Sequence, residues 1–371
     1  MLTKQMMFKS GKKVQRIQTY RCSRGHFFKD DSGLSGFSDS FIEYVVYVYL
    51  RCLSLNTTVD IVRATYEEDI LTKSHVLSFV EQVGRAVPSI EDIDRLFSPR
   101  RSGYLAFDGV WFKYAGEPIV LLVCFDPKTF DVIAANFNSA ETGAGYERLM
   151  NIVTAKLSKQ QMKGIYGDGD NGLLMAIKRY FPRTPFQLCV VHKSLRMEQT
   201  VPVKLTAKSH HIPPQVKQEI LKFSKLFHSA LYAETREKAL EGLTALLHFT
   251  KEHPREKFLR AVNQLKRNFG YTLTHFEYPE MERDNNLIEC FNGCLKPRLK
   301  LMRGFKKKQN LDIYLKLFLL EFRFHRLRES RLKDRRGRSP LELGGASLPE
   351  YYNFLTFLRR QLHLSYQPDR T

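Results

Sequence analysis

The chain has 371 residues, too many for one ordinary hydrophobic core, so two or three domains are expected. Hydrophobic residues make up 43% and aromatics 12%, which excludes wholesale disorder, and a formal net charge of +20 points to a polyanionic partner. The longest apolar runs, such as IVLLVCF at 119–125, fall far short of the roughly 20 residues of a membrane span, which favours nucleic acid over a membrane.

The first residues, MLTKQMMFKSGKKVQR, hold no apolar segment, so no secretory signal is expected. Six cysteines in a chain of this length do not make a disulfide scaffold and indicate a reducing, cytoplasmic compartment. Residues 1–38 are basic and then rich in Gly, Ser and Asp. The stretch TYRCSRGHFF at 19–28 looks like the second half of a zinc ribbon. Cys22 and His26 supply two ligands where a structural zinc needs four, and no Cys or His precedes them, so no working zinc is expected. The plainer reading is a flexible basic arm.

Residues 39–88 read as three helices with polar starts: SDSFIEYVVYVYLRCLSL, NTTVDIVRATYEEDI and TKSHVLSFVEQVGRAV. Short helices with tight turns outline a helix-turn-helix, with Thr72 to Val87 as the recognition helix, though the same outline occurs in domains that never touch DNA. Pro88 to Gly103 reads as a linker.

From 103 to 192 the pattern changes. GYLAFDGVWFK, PIVLLVCFD and FDVIAANFN are strand-like runs, joined by the turns AGEP (115–118) and DPKT (126–129), so they are antiparallel neighbours. A helix at 141–157, the short strand KGIYGD, the helix NGLLMAIKRYF and a fifth strand PFQLCVVH (185–192) follow. This is the order of an α/β, RNase H-like mixed sheet, a statement about fold alone. Residues 193–282 are helical throughout and read as an insertion; 283–330 return to the core; 331–371 form a basic tail and a final helix.

Asp108 stands inside an apolar strand, Asp168 ends a later one, and Glu289 lies in the second turn of a helix. The gaps are 60 and 121 residues, the second filled by the helical insertion. Three remote acids on elements able to bring them together fit a phosphoryl-transfer site with two divalent ions, which stabilise the entering and leaving oxygens. Magnesium or manganese suits carboxylate oxygens. A buried, unpaired Asp108 would cost several kcal/mol, so a cation is required nearby, and Lys113 or an arginine is the structural alternative to a metal. Alternation favours Asp168 over Asp170 without deciding between them, and Asp126 reads as a turn residue. Cys189 and His192 read either as a packed pair beside the site or, with Cys290 and Cys294, as a zinc set; His192 could instead contact the scissile phosphate.

These motifs carry a resemblance. FDGVWFK, DGDNGL, FQLCVVHK and NNLIECFN, in that order with an all-helical block before the last, resemble the Mutator-like DDE transposases and their prokaryotic insertion-sequence relatives over about 104–325. The resemblance implies Asp108, Asp168 and Glu289 as the catalytic triad with two magnesium or manganese ions, and a homodimer or larger assembly on DNA. Trp111 is the chain's only tryptophan, so the insertion lacks one that could stack on a DNA end.

Between Lys296 and Arg338 sixteen Lys and Arg stand against four Asp and Glu, a surplus of twelve. Lys296, Arg298, Lys300, Arg303, Lys306, Lys307 and Lys308 are the expected phosphate contacts on double-stranded DNA. The expected function is a DNA transposase, cutting element ends and joining them to target DNA. The alternatives are an inactive transposase-derived DNA-binding protein and another RNase H-like nuclease.

Overall fold

The computed structural model describes residues 2–10, 13–21, 27–29, 37, 39–51, 54–66, 71–158, 161–209, 211–301, 308–330 and 332–365. The elements in chain order are β1 (Leu2–Ser10), β2 (Lys13–Arg21), β3 (Phe27–Lys29), α1 (Asp39–Arg51), α2 (Leu55–Tyr66), α3 (Lys73–Ala86) and α4 (Ile90–Phe97). Then come β4 (Tyr104–Tyr114), β5 (Glu117–Asp126), β6 (Asp131–Asn138), α5 (Gly143–Lys156), β7 (Gly164–Gly167), α6 (Asn171–Tyr180), β8 (Phe186–Leu188) and α7 (Val190–Thr200). The rest is helical: α8 (Val203–Lys208), α9 (Pro214–Leu231), α10 (Arg236–Glu252), α11 (Glu256–Lys266), α12 (Thr274–Glu277), α13 (Asn286–Leu301), α14 (Lys308–Phe324), α15 (Pro340–Leu343) and α16 (Phe354–Ser365). Two compact units result, one of residues 1–100, 113–117 and 295–371, the other of residues 101–112 and 118–294.

The second unit holds a five-stranded mixed sheet in the order β6-β5-β4-β7-β8. Ala115 and Gly116 both have positive φ, which lets two residues reverse the chain between β4 and β5. β6 pairs antiparallel with β5, whereas β7 pairs parallel with both β4 and β8. Leu105, Phe107, Leu122 and Ile165 on one face pack against Tyr146, Leu149 and Met150 of α5 and Leu173 and Ile177 of α6. Asp126 is fully buried and accepts hydrogen bonds from the Ser102 amide and hydroxyl and from the Lys128 and Thr129 amides, which makes it a structural acid of the turn. A separate helical core gathers Phe223 and Phe227 of α9, Phe249 of α10 and Phe258 of α11, with Phe223 stacked on Phe258 at 4.2 Å.

The fifth strand is shorter than its sequence implies. β8 ends at Leu188, and Val190 begins a helix because its amide donates to the Arg283 carbonyl instead of to a neighbouring strand. His192 therefore sits in the first turn of α7.

In the first unit the backbone of β1, β2 and β3 forms an antiparallel sheet where a flexible arm is the plainer sequence reading. Cys22 and His26 lie outside the described residues. α3 packs on α1, α14 and α16. The expected linker after Pro88 contains α4, fixed by a capping box in which Ser89 and Asp92 satisfy each other's amides. Arg323 is fully buried and pairs with Asp94 of α4 at 2.6 Å. Among the described residues no helix is long and apolar enough to cross a membrane.

Candidate active site

Asp108 lies on β4 just beyond Ala106, the last residue of that strand paired with β7. It is 9% exposed. Its Oδ1 accepts the Gly109 amide at 2.8 Å and its Oδ2 accepts Asn292 Nδ2 at 2.6 Å. Gly109 leaves room for Glu141: a Cβ there would lie 2.5 Å from Glu141 Oε1, so the glutamate carboxylate would have to move aside.

Glu289 reaches Asp108 through buried polar anchors. Gln187 of β8 donates to the carbonyls of Leu188, Thr272 and Arg283 and accepts the His275 amide. That ties the segment before α13 to the sheet. Asn285 then donates its amide to Cys189 Sγ and its side chain to the Phe107 carbonyl, next to Asp108. α13 starts from this fixed point, and Glu289 closes its first turn, slightly earlier than the sequence reading had it. Asn292, three residues on, falls on the same helix face as Glu289.

Asp108, His192 and Glu289 each present a ligand atom, and the three atoms lie within 4.8 Å of one another. His192 Nε2 is 3.4 Å from Glu289 Oε1. Burial, and then the charge of Glu289, push the Asp108 carboxyl up to about 7. For His192 burial opposes protonation, but the Cys189 thiol, Glu289 and Asp108 outweigh it and raise the ring to about 10. His192 is thus the basic group facing Asp108, where its charge offsets part of the burial, and neither Lys113 nor an arginine is involved in the carboxylate's hydrogen bonds. Two carboxylates and an imidazole are a fit donor set for a divalent ion. Asn292 Oδ1 is buried there with no hydrogen-bond partner, a polar atom that an ion's water shell would satisfy.

Asp168 stands apart from this group of three. Its Oδ2 accepts Arg196 Nη2 at 3.2 Å and its Oδ1 accepts the Asp170 amide. Asp170 is the N-cap of α6, bonded to the Gly172 and Leu173 amides, so it has a structural task and Asp168 does not share it. Gly169, at φ +79°, makes the tight passage from Asp168 to that cap possible. Glu141 is close by; burial raises its carboxyl, and it accepts hydrogen bonds from Trp111 Nε1 and the Tyr146 hydroxyl.

The four-residue zinc set does not assemble among the described residues: the metal-competent group contains no cysteine, Cys189 is buried, and Cys290 and Cys294 are exposed. Within the first unit Arg298 Nε donates to the Leu50 carbonyl. Lys316, Arg323, Arg326, Arg336 and Arg338 also bond protein groups, so at least six of the sixteen cations in the basic run have internal partners. The backbones of Lys300 and Lys308 belong to α13 and α14, whereas Arg303, Lys306 and Lys307 lie outside the described residues. Sequence reading missed Asn292, Asn285 and Arg196. Helical spacing from Glu289 is the signal that would have found Asn292, whereas His192 read as a strand residue and so gave no helical spacing towards Arg196.

No curated protein matches this chain. Among solved structures, a chain from the cryoEM structure of the simian T-cell lymphotropic virus intasome in complex with PP2A regulatory subunit B56 gamma is 13% identical, with a TM-score of 0.22. That match covers 49% of this chain and 64% of the other, so this chain spans less than two thirds of its length. The family model described as "Transposase, Mutator family" matches residues 38–325. With more than half of its length matched, the chain belongs to the Mutator family of transposases.

Proposed function

We propose that this transposase works as a DDE enzyme that cleaves DNA at the ends of a mobile element and joins the freed ends to target DNA. The observation that carries the reading is the convergence of Asp108 and Glu289, 181 residues apart in sequence, with His192 within 4.8 Å. The strand order, with three antiparallel strands flanked on one side by two parallel ones, supports an RNase H-like core. Asp108, Glu289 and Asp168 would hold magnesium or manganese, which supplies charge stabilisation to the entering and leaving oxygens. Asn292 fixes the Asp108 carboxylate in one orientation. In the first step a water oxygen forms a bond to phosphorus at the element end and a 3′-hydroxyl leaves. In the second the oxygen of that 3′-hydroxyl bonds to a phosphorus of the target strand, the target's own P–O3′ bond breaks and its 3′-hydroxyl leaves, so one phosphodiester is exchanged for another.

α1, α2 and α3 support a DNA-reading helix-turn-helix, with Lys73, Ser74, Leu77 and Arg85 exposed on α3. Double-stranded DNA, held by a dimer or larger assembly, is the partner. The test is cleavage and joining of terminal-repeat DNA in magnesium or manganese, comparing wild type with Asp108→Ala, Asp168→Ala and Glu289→Ala. All three variants should lose both steps, and activity retained in any one removes that residue from the set.

A further inference from the structure

Asp168 directly follows β7, the strand paired with β4, and its charge is close enough to add to the raised Asp108 carboxyl. Yet it bonds Arg196 and remains outside the group of three. Arg196 lies one helical turn beyond His192 on α7, so one helix face presents both the imidazole and the guanidinium. The Asp168 carboxylate is mostly covered, whereas the Arg196 side chain is 43% exposed and can be reached from solvent. A half-exposed ion pair of this kind is weak. A guanidinium binds a phosphodiester at least as well as a carboxylate, through the same paired N–H donors.

We propose that Arg196 is a phosphate-responsive latch. In the DNA-free protein it holds Asp168 out of the Asp108–His192–Glu289 group. A backbone phosphate of DNA then takes over the guanidinium and leaves Asp168 to complete the ligand set. The inference rests on the reading of Asp108 and Glu289 as metal ligands. It adds an order of events, with DNA first and the full set of carboxylates second.

The test uses the full chain and two readouts other than turnover. The first is calorimetric titration with manganese alone, without DNA. Wild type should take up one ion, and Arg196→Gln should take up a second. The second ion should vanish in Arg196→Gln combined with Asp168→Ala. Arg196→Lys, which keeps a cation, should behave as wild type. The second readout is the salt dependence of binding to a short duplex, whose log–log slope should fall by about 0.9 in Arg196→Gln and by nothing in Arg196→Lys. Ion uptake unchanged by Asp108→Ala would overturn the underlying metal group and the latch with it. Uptake lost in Asp108→Ala, but equal in wild type and Arg196→Gln, would overturn the latch alone, as would an unchanged salt slope.

Discussion

A carboxylate in the middle of a strand needs a reason to stay there. Asp108 has three: the Gly109 amide, the Asn292 amide and the neighbouring His192 ring. The second of these gives a prediction. Groups that orient a ligand typically cost 10–100-fold in metal affinity or activity when removed. Asn292→Ala should therefore cut strand cleavage by about 10–100-fold while the circular dichroism melt stays near that of wild type; wild-type turnover would show that the Asp108–Asn292 bond has no part in the reaction. The imidazole has its own consequence. Nitrogen in the donor set shifts preference from magnesium towards manganese, so manganese should bind more tightly than magnesium, and His192→Ala should narrow the gap in parallel titrations. At this scale the sequence was informative for residues in recognisable motifs: Asp108 inside an apolar strand, His192 in the Cys-x-x-His pair, Glu289 in NNLIECFN. It was silent on Arg196, because nothing local says that one guanidinium of fifty-nine basic residues will face Asp168.

Elements were legible where periodicity was long, as in β4, β5 and β6. They were not where a tertiary bond decides a boundary. FQLCVVH is an apolar run compatible with a strand or a buried helix, and the Val190–Arg283 hydrogen bond ends the strand at Leu188. α4 is marked by the Ser89-x-x-Asp92 box, yet the turn formers around it and the basic pair that closes the stretch gave it the look of a linker. Gln187 joins β8 to the segment leading into α13. Gln187→Leu would strand buried carbonyls and an amide, at about 1–3 kcal/mol each. A loss of several kcal/mol is expected in urea denaturation, with cleavage reduced because α13 loses its anchor; an unchanged midpoint contradicts this. Between α1 and α16, Glu43 is buried 3.5 Å from Arg359. Burial outweighs the arginine and pushes its carboxyl up to about 7 from 4.5. Folded protein thus keeps a proton that the unfolded chain sheds between those values, and stability falls as pH rises through 7. Glu43→Gln should melt higher than wild type at pH 8, and the difference should shrink towards pH 4.5. A gap independent of pH would rule the account out.

For the whole molecule, the surplus of charge forecast a nucleic-acid partner, and membership of a transposase family agrees with it. Charge counting could not say which cations are used internally. Arg323 is buried and pairs with the partly exposed Asp94, so Arg323→Gln should cost about 1.5–3 kcal/mol of stability, the worth of a hydrogen bond to a charged group. Replacing Lys306, Lys307 and Lys308 with Gln should leave the melt unchanged and lower the salt slope of duplex binding by about 0.9 per residue. The opposite pattern would mean that the two kinds of cation have been exchanged. The division into two units was also hard to foresee, since the N-terminal and C-terminal helices are more than 200 residues apart and are joined by packing that no single stretch encodes. The central claim is that two acids from distant parts of the chain hold a metal with His192. Anomalous diffraction at the manganese edge, from crystals grown with manganese, tests it most directly. The account predicts a peak about 2.2 Å from carboxylate oxygens of Asp108 and Glu289 and from His192 Nε2; a site free of anomalous density at saturating manganese would contradict it.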